Sequence, residues 1–159
     1  MNKEDMLTST FGTLKPIIAL LHIEALPGDP GFRKGTELGK IADNVKRDVD
    51  NLIAGGVDAI LFSNEFSMPY QNCVPHAVSA AMAYIVGRVK DMLTVPFGVH
   101  VISDGMATVD LAAAVGADFV RGIFTGAYVG ECGVKNTDIA AVLRRRAELG
   151  ADNLKMFYM

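Results

Sequence analysis

Three copies of one short phrase decide the fold of this chain: Gly56-Val57-Asp58-Ala59-Ile60-Leu61-Phe62, Gly116-Ala117-Asp118-Phe119-Val120 and Gly150-Ala151-Asp152-Asn153-Leu154. Each copy follows a stretch with helical periodicity and precedes an apolar run. A glycine after the last helical turn adopts the left-handed conformation that ends a helix, and the small residue and the aspartate then turn the chain into a strand. The phrase therefore predicts a helix-to-strand connection that is used three times.

Apolar runs and amphipathic stretches alternate between these connections. The apolar runs have the length of buried strands and predict strands at 17–21, 59–62, 97–102, 119–124 and 154–158. Apolar residues at helical spacing predict helices at 38–53, 75–93, 107–115 and 138–149. Thr36 and Thr137 are the predicted N-caps of the first and last of these helices. Continuous apolar strands that alternate with helices predict an α/β fold with a parallel sheet.

The nucleotide-binding motifs of other α/β folds are missing, since no GxGxxG follows the first strand and no GxxxxGK[ST] occurs. A (β/α)8 TIM-type barrel, or part of one, is the better prediction. A complete barrel needs about 200 to over 400 residues, whereas this chain has 159. We therefore predict a barrel truncated after about four and a half βα units. Residues 1–14 would be an N-terminal extension, and residues 15–159 would form the partial barrel with strands one to five.

Composition and charge exclude several classes of function. The net charge is -3 and no extended basic block occurs, so nucleic acid is not a predicted partner. No apolar run is long enough to span a membrane, and the N-terminus has no signal-like apolar region. Cys73 and Cys132 lie far apart without a metal-binding motif. We expect reduced thiols in a cytoplasmic protein.

The candidate site residues are polar residues at the carboxyl ends of the predicted strands, where chemistry in such folds gathers, and polar residues that interrupt the apolar strand runs. The candidate acid–base groups are His22, Glu65 and Asp104, and the candidate ligand-binding residues are Asn64, His100, Arg121, Thr125 and Gly126. Strand alternation would place His100 and Asp104 on one face, toward the barrel interior. Structural roles remain open, since the carboxylates can cap helices or fix loops and Arg121 can extend outward between helices.

Two further expectations concern what this rim binds. The glycine-rich loop 125–133 would let backbone amides approach an anion. Two histidines and two carboxylates would also suit a divalent metal, although nothing in their spacing demands one. The sequence alone therefore does not identify a cofactor.

Several segments, in order and covering nearly the whole chain from Lys15, resemble the BtpA/SgcQ family. These segments are 15–22 (KPIIALLH), 25–30 (ALPGDP), 55–61 (GGVDAIL) with 64–65 (NE) and 69–70 (PY), 98–104 (GVHVISD), and 113–121 (AAVGADFVR) with 125–127 (TGA). Where that family usually has asparagine in the third strand, this chain has His100. The match corresponds to the N-terminal part of the family's barrel.

The resemblance implies a (β/α)8 barrel related to the ribulose-phosphate-binding group. One branch of the family is named for the accumulation of photosystem I and for peripheral membrane association, and another lies among sugar-metabolism genes. Some members are labelled as similar to phosphoribosylanthranilate isomerase, but this chain lacks the Lys-Ile-Cys-Gly opening of that enzyme.

These observations lead to two hypotheses about function. The first is a protein that binds a small phosphorylated sugar or nucleoside-like ligand, with isomerase or glycosidic-bond-cleaving activity. The alternative is a non-catalytic biogenesis or stability factor. A half-barrel would leave sheet edges unpaired, and we therefore expect a homo-oligomer that forms through the unclosed edge.

Overall fold

A computed structural model describes residues 2–130 and 133–159. The elements follow the order α1 (Lys3–Phe11), β1 (Ile18–His22), α2 (Leu38–Ala54), β2 (Ala59–Ser63), α3 (His76–Val89), a short 3-10 helix (Lys90–Met92), β3 (Phe97–His100), α4 (Gly105–Val115), β4 (Phe119–Gly122), β5 (Ala127–Gly130), β6 (Gly133–Asn136), α5 (Ile139–Glu148) and β7 (Lys155–Tyr158). Five parallel strands form one sheet in the order β1-β2-β3-β4-β7, and β5 and β6 form an antiparallel hairpin. The predicted α/β fold with a parallel sheet is confirmed.

The repeated phrase forms the predicted helix-to-strand connection in all three places. Gly56, Gly116 and Gly150 adopt φ values of 79°, 75° and 65°, so each takes the left-handed conformation. In two of the three copies the aspartate has a role that the sequence did not reveal. Asp58 Oδ2 accepts a hydrogen bond from the amide of Ile17 at 2.7 Å, and Asp118 Oδ2 accepts one from the amide of Phe97 at 2.9 Å. Each carboxylate thus binds the chain where the neighbouring strand starts.

The two faces of the sheet are covered differently. The main core lies between one face and helices α2 to α5, with Phe62, Val99 and Val120 among its buried strand residues. The opposite face carries a smaller cluster, in which Phe119 and Leu61 pack against Phe11 of α1. Helix α1 lies within the predicted N-terminal extension and covers only the start of the strands. The rest of this second face, which we call the open face, has no helix over it in the described part of the chain.

Gly98 of β3 is paired with Phe119 of β4, and the ring of Phe119 occupies the space above it on the open face. A Cβ atom at Gly98 would lie 2.4 Å from Cε2 of Phe119, which is far inside contact distance. Phe11, Phe119 and Phe157 form a cluster with ring centroids between 5.4 and 6.0 Å apart. This aromatic cluster fills the lower part of the open face, toward the amino ends of the strands. The upper part, toward the carboxyl ends, begins at the residues that follow in each strand.

Several predicted boundaries were wrong for local reasons. β3 ends at His100 rather than at residue 102, because the amide of Val101 bonds to Thr108 Oγ1 instead of to a neighbouring strand. The N-cap of α2 is Glu37, not Thr36, and it makes no side-chain capping bond. The N-cap of α5 is Asp138, not Thr137. The glycine-rich segment predicted as a loop contains β5 and leads into the hairpin.

Two predictions about the chain as a whole can be compared with the structure. Cys73 is a free, exposed thiol, whereas Cys132 lies outside the described residues. None of the helices that the structure describes is both long and apolar enough to cross a lipid bilayer.

Candidate functional site

A row of polar side chains crosses the open face at the carboxyl ends of the strands. His22 lies opposite Ser63, and Ser63 lies opposite His100. Because Gly98 is paired with Phe119, the register continued by two residues places His100 beside Arg121. Arg121 in turn lies opposite Phe157. The parallel register therefore brings one polar residue from each of four strands to the same level, and we call these four residues the rim row.

His100 and Arg121 are the most unusual members of the rim row. His100 is only 3% exposed, and its Nδ1 atom has no hydrogen-bond partner among the described residues. The Nε atom of Arg121 is also buried and lacks a partner in the same set. Buried polar groups are nearly always hydrogen-bonded, so two buried nitrogens without partners on adjacent strands are unusual.

The pKa of His100 is lowered from 6.5 to about 4. Burial is the main cause, and the positive charges of Arg121 and then Lys135 add to it. His100 is therefore neutral at physiological pH, with one ring nitrogen as a donor and the other as an acceptor. The charges that act on this ring are positive, which favours an anion as the missing partner.

His22 and Glu65 meet at the other end of the rim row. His22 Nε2 lies 3.8 Å from Glu65 Oε2, and both side chains are more than a third exposed. Tyr70 donates its hydroxyl to Glu65 Oε1 and to the Glu65 carbonyl oxygen, each at 3.0 Å. Burial and the Glu65 carboxylate raise the pKa of Tyr70 above its ordinary value of 10.0. The carboxylate is thus oriented by a neutral phenol and faces an imidazole that is open to solvent.

Asn64 is completely buried, and its side chain connects two segments that follow strands of the sheet. Its Oδ1 atom accepts a hydrogen bond from the amide of Ile102 at 2.7 Å, and its Nδ2 atom lies 3.5 Å from the Ile102 carbonyl oxygen. The side chain predicted to bind ligand therefore joins the end of β2 to the segment that follows β3.

Asp104 does not share the face of His100, because β3 has already ended and Asp104 is the N-cap of α4. Its Oδ1 atom accepts from the amide of Ala107 and its Oδ2 atom from the amide of Val74, both at 3.0 Å. The expectation that Asp104 extends into the barrel interior was wrong, and the helix-capping alternative describes its contacts. It holds the start of α4 against the segment that precedes α3.

Thr125 and Gly126 lie at the base of the β5–β6 hairpin and are exposed. The carbonyl oxygen of Gly126 accepts from Thr137 Oγ1 at 2.8 Å and from the Thr137 amide at 3.2 Å. Thr137, predicted as a helix cap, instead closes the hairpin. The structure therefore brings His22 together with Glu65, and His100 together with Arg121. It leaves Asp104, Asn64 and the base of the hairpin outside the rim row.

No group of three or more His, Cys, Asp or Glu side chains is placed to hold a metal ion within residues 2–130 and 133–159. His22 and His100 lie two strands apart, which is roughly 10 Å.

Three residues of this region were not predicted from the sequence. Ser63 has the same position in β2 that His100 has in β3, and the alternation along 59–63 contains that signal. Tyr70 lies in a loop, and no periodicity indicates its contact with Glu65. Lys135 lies in β6, just beyond the glycine-rich loop predicted at 125–133, in a segment for which no strand was predicted.

Comparison with known proteins identifies the family. The model of the BtpA family matches residues 13–158. This chain belongs to the BtpA family. Its resemblance to that family, inferred above from segments between 15 and 127, is thereby confirmed.

BtpA-family relatives come from bacteria and archaea. SgcQ of Escherichia coli is 43% identical over 152 residues, which is 96% of this chain and 57% of SgcQ. Photosystem I biogenesis protein BtpA of Synechocystis is 33% identical over 149 residues, covering 92% of this chain and 51% of that protein. An uncharacterised Pyrococcus abyssi protein is 32% identical over 139 residues, or 86% of this chain and 51% of that protein. The chain therefore spans about half the length of these relatives.

The contacts of Asp104 generate a prediction about stability. Asp104→Ala removes a helix cap, worth about 1 kcal/mol, and leaves the amide of Val74 without its partner, which costs a further ~1–3 kcal/mol. Urea unfolding followed by circular dichroism should show the sum of both losses. Asp138→Ala is the matched control, because Asp138 caps α5 through a single bond to Ala141. Equal losses in the two variants would show that the bond to Val74 contributes nothing.

The buried neutral His100 predicts acid sensitivity. Between pH 6.5 and about 4 the unfolded chain binds a proton at this histidine and the folded chain does not, so stability falls as the pH falls. The full loss is about 3 kcal/mol, and His100→Asn should abolish it. Urea unfolding at pH 7 and pH 4.5 measures the difference, with exposed His76→Asn as the control. An unchanged acid sensitivity in His100→Asn would contradict the prediction.

Proposed function

We propose that this BtpA-family chain binds a small phosphorylated sugar or nucleoside-like ligand at the rim row. The observation that carries the proposal is the pair of buried nitrogens, His100 Nδ1 and Arg121 Nε, which have no partner among the described residues. Leaving such groups unpaired costs about 1–3 kcal/mol each. A phosphate oxygen can accept hydrogen bonds from the Arg121 guanidinium. It can also accept one from a ring N–H group of His100.

The surface below Arg121 supports a ligand with an apolar part. An open cavity of about 310 Å³ lies on the open face, lined by Ile18, Leu20, Leu61, Phe119, Arg121 and Phe157. Its floor is aliphatic and aromatic, and Arg121 is the charged side chain in its lining. A sugar ring or a base can pack on such a floor while its phosphate binds the guanidinium.

His22 and Glu65 are the acid–base pair of this proposal. Their side chains lie next to each other at the solvent-accessible end of the rim row, and general acid–base catalysis needs groups with this kind of access. Proton transfer by this pair suits either isomerisation of a sugar phosphate or cleavage of a glycosidic bond. Asp104 and Asn64 act as positioning residues, because their oxygens hold backbone amides.

The alternative function, a non-catalytic biogenesis factor, is favoured by one feature. Val129 and Val134 form a cross-strand pair in the β5–β6 hairpin and are 86% and 69% exposed. Adjacent exposed valines on a projecting hairpin are suited to contact another protein. The name of the Synechocystis relative, photosystem I biogenesis protein, agrees with such a role in that protein.

The edges of the sheet support a partial (β/α)8 barrel that associates with a second copy of the chain. In the described residues β1 pairs with β2 alone, and β7 pairs with β4 alone. Both strands run in the same direction, so β1 of one copy can pair with β7 of another in a parallel arrangement. Ile17 and Leu20 are exposed beside this edge, and pairing would bury them.

Thermal denaturation against a panel of sugar phosphates and nucleosides tests the ligand. A bound compound at about 100 times its Kd should raise the melting temperature by at least ~5 °C. Ribose 5-phosphate should act more strongly than ribose, and Arg121→Met should lose that difference. Arg144→Met, at an exposed position of α5, is the matched control.

No shift from any compound in wild type would contradict the ligand proposal and favour the biogenesis alternative. For a compound that binds and is turned over, His22→Gln and Glu65→Gln should each lower kcat by at least ~100-fold. Retained turnover in both variants would remove His22 and Glu65 from the mechanism.

Light scattering coupled to size-exclusion chromatography tests the association. We expect twice the mass of one chain for wild type and a monomer for Leu20→Lys. A charged side chain in β1 on the open face opposes the pairing of β1 with β7 of a second copy. Leu143→Lys on α5 is the control, as it places the same charge at an exposed leucine outside the sheet. A monomeric wild type over a broad concentration range would contradict the proposal.

A further inference from the structure

The smallest side chain of the rim row lies in its middle. Ser63 is opposite His22 on one side and opposite His100 on the other. Leu20 and Leu61 line the cavity on the open face. His22 and Ser63 each follow one of these leucines by two residues and therefore extend to the same face. A serine between two imidazole rings leaves a recess at the centre of the row.

The two ends of the rim row lie far apart. Arg121 is in β4 and His22 is in β1, so three strand intervals of ~4.8 Å, or about 14 Å in all, separate them across the sheet. A phosphate bound at Arg121 is therefore out of hydrogen-bond reach of His22. One ligand that has its phosphate at Arg121 and its reacting group at His22 crosses β2 and β3, and thus passes over Ser63.

The side chains along this path match the hydroxyl groups of a sugar. The Ser63 hydroxyl both donates and accepts hydrogen bonds, as a sugar hydroxyl does. The carbonyl oxygen of Ser63 already accepts from the amide of Ile23 at 2.8 Å, so its side chain is the group that faces a ligand. An extended five-carbon sugar phosphate is roughly 10 Å long. With a contact of ~3 Å at each end, it reaches from Arg121 to His22.

We infer that Ser63 is a further ligand-binding residue, which hydrogen-bonds a hydroxyl group of a sugar phosphate that lies along the rim row. This inference rests on the proposed function and selects the sugar phosphate from the two ligand classes given there. A row of separate polar side chains suits a carbon chain with successive hydroxyl groups. A nucleobase has its polar atoms only at the edge of a flat ring, and that ring is wider than the recess at Ser63.

Isothermal titration calorimetry with ribose 5-phosphate, inorganic phosphate and adenosine tests the inference. Ribose 5-phosphate should bind wild type on the order of tenfold tighter than inorganic phosphate, because hydrogen bonds to its hydroxyl groups add to the phosphate contacts. Ser63→Ala should weaken ribose 5-phosphate about fivefold, the effect of one neutral hydrogen bond. It should leave the affinity for inorganic phosphate unchanged, which also shows that the variant is folded. Ser79→Ala removes a half-buried serine of α3, on the helical side of the sheet, and is the matched control.

The outcomes separate this inference from the proposed function. The inference is supported if Ser63→Ala weakens ribose 5-phosphate alone and Ser79→Ala weakens neither phosphate compound. Equal affinity for ribose 5-phosphate in wild type and Ser63→Ala overturns the role of Ser63 and leaves the proposed function standing. Tighter binding of adenosine than of ribose 5-phosphate overturns the choice of a sugar phosphate in the same way. If none of the three compounds binds wild type, both the inference and the proposed function are overturned.

Discussion

The carboxylates of Asp58 and Asp118 hold the alignment of two strand pairs of this sheet, β1 with β2 and β3 with β4. Each accepts a hydrogen bond from the amide at the start of the preceding strand in the sheet, at Ile17 and at Phe97. A slip of one residue in either strand would transfer every side chain to the opposite face. The order of the buried core and the composition of the rim row both depend on this alignment, because both are defined by which residues lie opposite each other.

The alignment gives the open face two layers of different chemical character, one aromatic and one polar. The lower level is filled by the aromatic rings of Phe11, Phe119 and Phe157, which leave room only for a glycine at position 98. The level above carries buried histidine and arginine nitrogens without partners in the described residues. A hydrophobic layer that is packed tightly therefore supports a polar layer that is incompletely satisfied, an arrangement typical of binding sites.

Sequence patterns predicted the site in part. Strand ends indicated His22 and Glu65 as candidates, and polar interruptions of apolar strands indicated His100 and Arg121. They could not distinguish Asp104, since its role depends on β3 ending two residues earlier than the apolar run suggests. The β5–β6 hairpin was missed for a related reason. A glycine-rich segment contains no periodicity that reveals a hairpin or the direction of its side chains.

The sequence by itself determined the α/β class, the alternation of strands and helices, and the family, because these follow from local periodicity, from glycine-based connections and from segments quoted in order. Only the tertiary structure decided which polar residues share a face and which form hydrogen bonds to backbone amides instead. The reason is physical: a carboxylate or an amide can bond to whichever backbone amide lies nearest. In Asp104 and Asn64 those partners are Val74 and Ile102, each more than two dozen residues away along the chain.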